Sequence, residues 1–250
     1  MRRKTTLIAL GAGAVAIFVL ATLPAGLVTG PLERLGVGTT AVGGTVWSGQ
    51  AQGLSFDGAV IGDLRWSLRP LTLLRGRLAG HAQLARLDGA AETGFERSWS
   101  GRLRLESTRA DLPLEALAPF RLGIPSNWRG RVSADFAELL IEDGWPVSAR
   151  GTLDLRQLVA PPPRAAALGS FRLDFAGEAA PAETLRAGIT QTEGPLSVDG
   201  QLSLGKDRSF LLEGSVAPRG PPAPDLVNAL SMLGPPDANG RRPFSIAGTL

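Results

Sequence analysis

The chain has 250 residues, 26 Lys and Arg against 23 Asp and Glu, a pI near 10.4, one histidine, and neither cysteine nor tyrosine. Disulfides, thiolate metal sites and paired-histidine metal sites are excluded, and a Ser-His-Asp triad would have to use His81. Past the N-terminus the arginines stand singly among acids, as in Arg102-Leu-Arg104-Leu-Glu106, which describes a solvated strand face and not a nucleic-acid footprint.

Residues Thr5 to Leu32 carry no charge and follow Arg2, Arg3 and Lys4. A helix over 5–23 would rise roughly 28 Å at ~1.5 Å per residue, close to the ~30 Å of bilayer hydrocarbon. Pro24, Gly26 and Gly30-Pro31 then stop it. The basic residues favour a cytoplasmic N-terminus, with the rest of the chain across the membrane. A cleaved secretory signal fits the same basic and apolar regions, with Val19 and Ala21 at the cleavage positions. Gly11-Ala-Gly13-Ala-Val-Ala16 matches a dinucleotide fingerprint, but only ten residues precede it and no strand can stand in front, so small-residue helix packing explains it better.

Behind this segment, period-two alternation recurs and predicts strands. Val60, Leu64, Trp66 and Leu68 share one face against Asp63, Arg65, Ser67 and Arg69. Leu78, Gly80, Ala82 and Leu84 alternate with Arg77, Ala79, His81 and Gln83, and Leu103 and Leu105 with Arg102, Arg104 and Glu106. Trp128, Val132, Ala134 and Phe136 follow, then Leu153 and Leu155, then Phe171, Leu173 and Phe175. Leu196 to Leu204 and Phe210 to Val216 read as a hairpin around Gly205-Lys-Asp-Arg208, and Phe244, Ile246, Gly248 and Leu250 end the chain in a strand.

Two short helices are predicted, Leu112 to Phe120 capped by Asp111 and Asp225 to Leu233 capped by Asp225. The Pro161-Pro162-Pro163 run and Pro218 to Pro224 read as loops. A glycine precedes many strand patterns, at Gly44-Thr-Val-Trp, Gly62-Asp-Leu-Arg-Trp, Gly76-Arg-Leu, Gly101-Arg-Leu, Gly130-Arg-Val, Gly151-Thr-Leu and Gly200-Gln-Leu, at spacings too irregular for a solenoid. Such glycines permit bulges and bends. The expected fold is mainly β: a long, twisted and curved, mostly antiparallel sheet with two short helices, behind one N-terminal transmembrane helix.

Chemistry-bearing groups are few. His81 alternates onto the polar face of its strand. Glu142-Asp143 and Glu92 with Glu96 could serve glycoside chemistry, but read as solvated turn or strand-end residues beside glycine. Of the tryptophans, Trp66 and Trp128 sit at strand positions expected in a core or groove, while Trp47 and Trp145 stand beside turn residues and could face a partner.

Three segments in order, Gly44-Thr-Val-Trp-Ser-Gly-Gln-Ala51, Gly62-Asp-Leu-Arg-Trp-Ser-Leu-Arg-Pro-Leu-Thr-Leu-Leu-Arg-Gly-Arg-Leu78, and Leu233-Gly-Pro-Pro-Asp-Ala-Asn-Gly-Arg-Arg-Pro-Phe-Ser-Ile-Ala-Gly-Thr-Leu250, resemble the type II secretion system protein N family over essentially the whole chain. The resemblance implies a non-enzymatic accessory component of the inner-membrane machine that exports folded proteins from the periplasm through an outer-membrane secretin. It brings no catalytic, cofactor-binding or metal-binding residues. Trp47, Trp66, Arg69, Pro70 and Trp145 are carried as structural signatures or a partner surface.

The organisation expected is a cytoplasmic 1–4, an anchor helix over 5–23, a linker and first strand region over 24–43, and a periplasmic β domain over 44–250 with a sub-boundary near 160–164. Expected partners are platform proteins of the inner membrane, the secretin, and the membrane itself, but no nucleic acid and no cofactor. A second reading follows from one-sided apolar alternation over many strands: an AsmA-like envelope module that binds or transfers phospholipid in an apolar groove.

Overall fold

The computed structural model describes residues 22–28, 30, 33, 34, 36–120, 127–161, 167–177, 184–220, 230, 231 and 233–249. The predicted anchor over 5–23 lies outside them except for Thr22 and Leu23, and among the described residues no helix is long and apolar enough to cross a membrane. The predicted helix over Asp225 to Leu233 also lies largely outside the described residues.

The chain divides into two compact units, Met1–Leu87 and Asp88–Leu250. In the first, β1 (Val37–Gly38) and β2 (Ala41–Gly44) both pair with β3 (Ser48–Phe56), which pairs with β4 (Ala59–Leu68) and that with β5 (Arg77–Ala85), all antiparallel. The second runs as an antiparallel meander: β6 (Ala90–Ser98), β7 (Leu103–Pro113), β8 (Arg129–Glu142), β9 (Trp145–Val159), β10 (Ala167–Ala176), β11 (Thr184–Glu193), β12 (Leu196–Gly205), β13 (Ser209–Pro218) and β14 (Arg242–Thr249). The described helical pieces are short, with 3-10 turns at Ala25–Val28, Pro70–Arg75 and Leu114–Phe120. Mainly β, antiparallel structure is what the alternation predicts. The strands on either side of the triproline run, β9 and β10, pair directly, and the two compact units divide after Leu87.

Two hairpins turn on Asp-Gly pairs. Phe56 opposes Ala59 around Asp57 (φ 48°) and Gly58 (φ 79°), and Glu142 opposes Trp145 around Asp143 (φ 51°) and Gly144 (φ 76°). Positive φ at both central residues is the type I′ geometry whose twist matches the flanking strands.

Bulges move several predicted faces. Leu64, Trp66 and Leu68 are half-buried as predicted, but Val60 is exposed and Ile61 buried in its place. Between Gly62 and Val60 the register against β3 gains a residue on β4, and one extra residue reverses every side chain beyond it. The bulges here are stitched by Gly53 N–H donating to Asp63 Oδ1 at 2.8 Å and by the Arg86 guanidinium donating to the carbonyls of Val60 and Ile61 at 2.8 and 2.9 Å. A similar reversal occurs at Ser107 (φ 49°), so Leu103 and Leu105 hand the buried face to Thr108, Ala110 and Leu112.

That reversal also overturns the first predicted helix. Asp111 and Leu112 remain in β7, facing Ser133 and Val132, and helical structure begins only at Leu114. Asp111 receives Arg131 from the facing strand β8 and Arg156 from β9 beyond it instead of capping, because strand pairing satisfies the backbone groups a cap would have served. Gly44-Thr-Val-Trp is likewise a hairpin turn between β2 and β3, not the start of a strand. Glu92 and Glu96 lie inside β6, not at its ends, and Pro218 is the last residue of β13.

The second unit holds the largest apolar cluster: Phe136, Ala149, Leu173, Phe175, Leu185 and Ala187, flanked by Leu153, Leu155, Ile189, Leu202 and Leu204. Gly151 faces Phe136 on one side and Phe175 on the other. The two rings meet with centroids 5.5 Å apart at 57°, within the usual range for tilted aromatic pairs. A Cβ at Gly151 would stand 2.9 Å from Phe136 Cδ1 and 2.6 Å from its Cα, so the glycine is what lets the ring lie on the strand. Across β13 and β14, Phe244 covers Gly214 and Phe210 covers Gly248 in the same manner. Shielding of strand glycines by cross-strand aromatics gives the glycine punctuation a packing cause. In a flat sheet β9 and β11 would lie roughly 9.6 Å apart, at ~4.8 Å per strand. Their Cα atoms approach within 8 Å, so the sheet bends at β10.

Candidate functional site

Four of the five candidate residues are brought together in the first unit by the register of β3 against β4. Gly49 stands opposite Trp66, and a Cβ there would fall 2.5 Å from Trp66 Cζ2, so the indole lies over bare backbone. From that position its Nε1–H donates to the Val46 carbonyl at 2.8 Å. Val46 belongs to the β2–β3 turn, where Ser48 N–H donates to Thr45 Oγ1 at 3.1 Å and the half-buried Trp47 accepts Leu68 N–H on its carbonyl at 2.6 Å. Trp66 is thereby the lock on this turn. The two tryptophan motifs flagged from sequence are one structural unit.

The same turn holds the incoming chain. Pro24 bridges to Thr45, and Val46 N–H donates to the Leu23 carbonyl at 2.9 Å. One residue beyond Leu68, Arg69 donates its N–H to the Ala79 carbonyl at 2.8 Å and takes the extended conformation (φ −101°, ψ 94°) that a following proline requires. Pro70 opens the 3-10 turn, Thr72 Oγ1 donates to the Arg69 carbonyl at 2.6 Å, and Gly76 in the left-handed region (φ 71°) ends it. Arg69 and Pro70 are exposed, as are Leu71, Leu74 and Arg75.

Trp145 belongs to the second unit, opposite Glu142 in the Asp-Gly hairpin. Its Nε1 is buried and has no hydrogen-bond partner among the described residues. Trp128 is half-buried before β8, while Trp99, in the β6–β7 turn, is 79% exposed.

Sequence reading missed a buried polar knot at the other end of the bent strands. Gln191 on β11 is 4% exposed and Ser170 on β10 is 5% exposed. Gln191 Nε2 donates to the carbonyls of Leu168 at 2.7 Å and Glu193 at 3.2 Å, Gln157 N–H donates to Ser170 Oγ at 3.2 Å, and Ser170 Oγ donates to Glu193 Oε2 at 3.3 Å. Arg219 donates to the carbonyls of Gln191 and Thr192 at 2.6 and 3.2 Å. These bonds serve backbone groups that the bulges between β9, β10 and β11 leave out of the ladder. The knot holds a bend; it is not arranged as a reaction centre.

Of the carboxylates considered for acid–base work, Glu142 and Glu92 take part in cross-strand pairing, as does the neighbouring Glu138. Glu142 takes Arg102 at 2.8 Å, Glu92 takes Arg109 at 3.9 Å, and Glu138 takes Arg104 and Arg150 at 3.3 and 3.5 Å. Arg172 holds Asp154 through two bonds of 2.8 and 3.1 Å, and the hydrogen bond with that carboxylate raises the arginine's pKa. His81 is half-buried on β5, opposite Ser67, with its Nε2 3.5 Å from Gln83 Nε2.

A family model described as type II secretion system (T2SS), protein N matches residues 35–245. The chain is similar to type II secretion system protein N of Aeromonas hydrophila, 29% identical over 259 residues and 100% of both chains. It is 28% identical over 242 residues, 93% of each chain, to the protein of the same description from Vibrio cholerae serotype O1. No solved structure matches.

Proposed function

We infer, because this chain belongs to the type II secretion system protein N family, that it is an accessory inner-membrane component of that system and works as a non-enzymatic scaffold. One helix within 5–23 tethers it, leaving the N-terminus cytoplasmic and the β domain in the periplasm, where folded proteins are exported across the outer membrane. The observation that carries the reading is the match over 35–245, which runs from before β1 into β14 and so takes in every strand from β1 to β13 and the start of β14.

The fold supports a scaffold by its edge. β14 is the last strand of the sheet order, and residues 243–249 carry no charge. Edge strands are commonly blunted by charge because their unpaired N–H and C=O groups invite another strand. A final strand whose charge is confined to its first residue, Arg242, suits strand addition by a platform protein or the secretin. The AsmA-like reading needs an open apolar groove, and across β8–β12 that face is filled by Phe136, Phe175, Leu173 and Leu185.

Deleting the gene in a secretion-competent host is expected to reduce export of folded substrates, and the full chain supplied in trans is expected to restore it. Unimpaired export without the protein would overturn the reading. Retention of the chain in membranes after alkaline carbonate extraction tests the tether separately.

A further inference from the structure

We propose that the Pro70–Arg75 turn is a membrane-docking element that seats on the anionic lipid surface from which the tether emerges; this rests on the tethered reading above. Three observations converge on one end of the first unit. Leu71 and Leu74 are 77% and 85% exposed on a single short turn, where leucine normally is buried. Exposed Arg69 and Arg75 bracket them and exposed Arg77 follows. From Leu64 to Arg77 the chain has four arginines and no carboxylate.

The third observation is the position of the incoming chain. Leu23, the last residue of the expected anchor helix, is bonded to Val46, Val46 to Trp66, and the neighbouring Trp47 to Leu68, two residues before Pro70. A segment leaving the bilayer at Leu23 therefore delivers the leucine turn to that bilayer's surface. Carboxylates gather toward the other end of the unit: Asp57 in the β3–β4 turn donates its N–H to the Gly36 carbonyl, and Gly36 N–H to that of Glu33. The leucine end is cationic and apolar, while the far end mixes Glu33 and Asp57 with Arg34 and Arg86. Leucines entering the headgroup region beside arginines that meet lipid phosphates is the chemistry of interfacial anchoring.

The partner is thus an anionic phospholipid headgroup layer, and the docked turn would fix how β3, β4 and β5 stand on the membrane. The absence of cysteine makes the test clean, since one introduced thiol carries one label. Leu74→Cys, Leu71→Cys and Leu87→Cys are made in the full chain, with a nitroxide attached and the protein reconstituted into vesicles of phosphatidylethanolamine with or without phosphatidylglycerol. Leu87 is fully exposed but lies past the far end of β5, whose nine residues at ~3.3 Å each span about 30 Å.

In anionic vesicles the labels at 71 and 74 are expected to collide with oxygen in preference to a water-soluble nickel complex, while the label at 87 shows the reverse. Arg69→Gln with Arg75→Gln is expected to weaken seating about 25-fold, at roughly fivefold per arginine. Labels at 71 and 74 as aqueous as that at 87 would overturn the proposal. So would immersion indifferent to lipid charge and to both arginines, or protection that arises only when other secretion proteins are added. Carbonate extraction of the same vesicles separates the two failures: a retained chain with aqueous labels removes the docking turn alone, and an extracted chain removes the tether.

Discussion

The two compact units are built from the same antiparallel hairpins, down to the same Asp-Gly turn at Asp57-Gly58 and Asp143-Gly144, yet they treat charge and glycine differently. In the second, arginines and carboxylates pair across strands in rows, as Arg104, Glu138 and Arg150 do, and the opposite face closes over Phe136 and Phe175. In the first, the span from Leu64 to Leu87 offers its arginines no carboxylate of its own, and two leucines stand in solvent beside them. The glycine opposite Trp66 serves a turn lock, while the glycine between Phe136 and Phe175 serves a core. The lesson is that the same hairpin architecture can pair its charges across strands in one unit and hold leucines in solvent beside arginines in the other.

The comparison breaks most readily at Gly151. Gly151→Ala places a methyl against the Asp135 carbonyl and the Phe136 ring at φ 150°, so a loss of about 3 kcal/mol or more in denaturant unfolding is expected. Gly144→Ala has nothing within 4 Å and differs only in its positive φ, so it should cost about 1 kcal/mol. Equal costs at the two sites would mean that the aromatic packing is not what Gly151 protects.

In the first unit, Trp66→Phe keeps most of the ring over Gly49 and removes the bond to Val46. A loss of about 1 kcal/mol is expected, with faster hydrogen exchange at Val46 and Leu68. Asp111→Asn should cost less, under about 1 kcal/mol, because its pairs with Arg131 and Arg156 are nearly half exposed. Unfolding of that variant at two salt concentrations checks it, since an exposed pair should already be screened.

The smallest effect is at the β12–β13 turn. The Ser209 hydroxyl and then its N–H bond Asp207 and hold its carboxyl below the ordinary range. A depressed folded pKa means the stabilisation is fully present above the ordinary carboxylate pKa and is lost as pH falls through the folded value. Asp207→Asn should therefore flatten slightly the acid limb of a stability–pH profile and leave neutral pH less affected than Gly151→Ala does.

Much of this was legible where one face stays in phase. Leu196 to Leu204 against Phe210 to Val216 needed only period two, and the pairs Leu202 with Leu212 and Leu204 with Phe210 follow from it. Phase was lost at bulges, because the residue that reverses a face, Ser107 or Ile61, has no fixed chemical signature. Asp111 carried the look of a cap, and only the facing strand reveals that Arg131 claims it. Trp47, Trp66, Arg69 and Pro70 could be singled out as turn and strand residues, but the lock from Trp66 to Val46 depends on register across an intervening hairpin. The Gln191 knot depends on bulges in three strands at once, so nothing local announces it.

The most direct measurement of the scaffold role is site-specific photo-crosslinking from Ser245, Ile246 and Ala247 on the β14 edge, in cells actively exporting substrate. Adducts with other secretion-system proteins from these positions, lost when Ala247→Pro blocks strand addition and falling with export itself, are the expected result. Full export with no adduct from any position on that edge would contradict it.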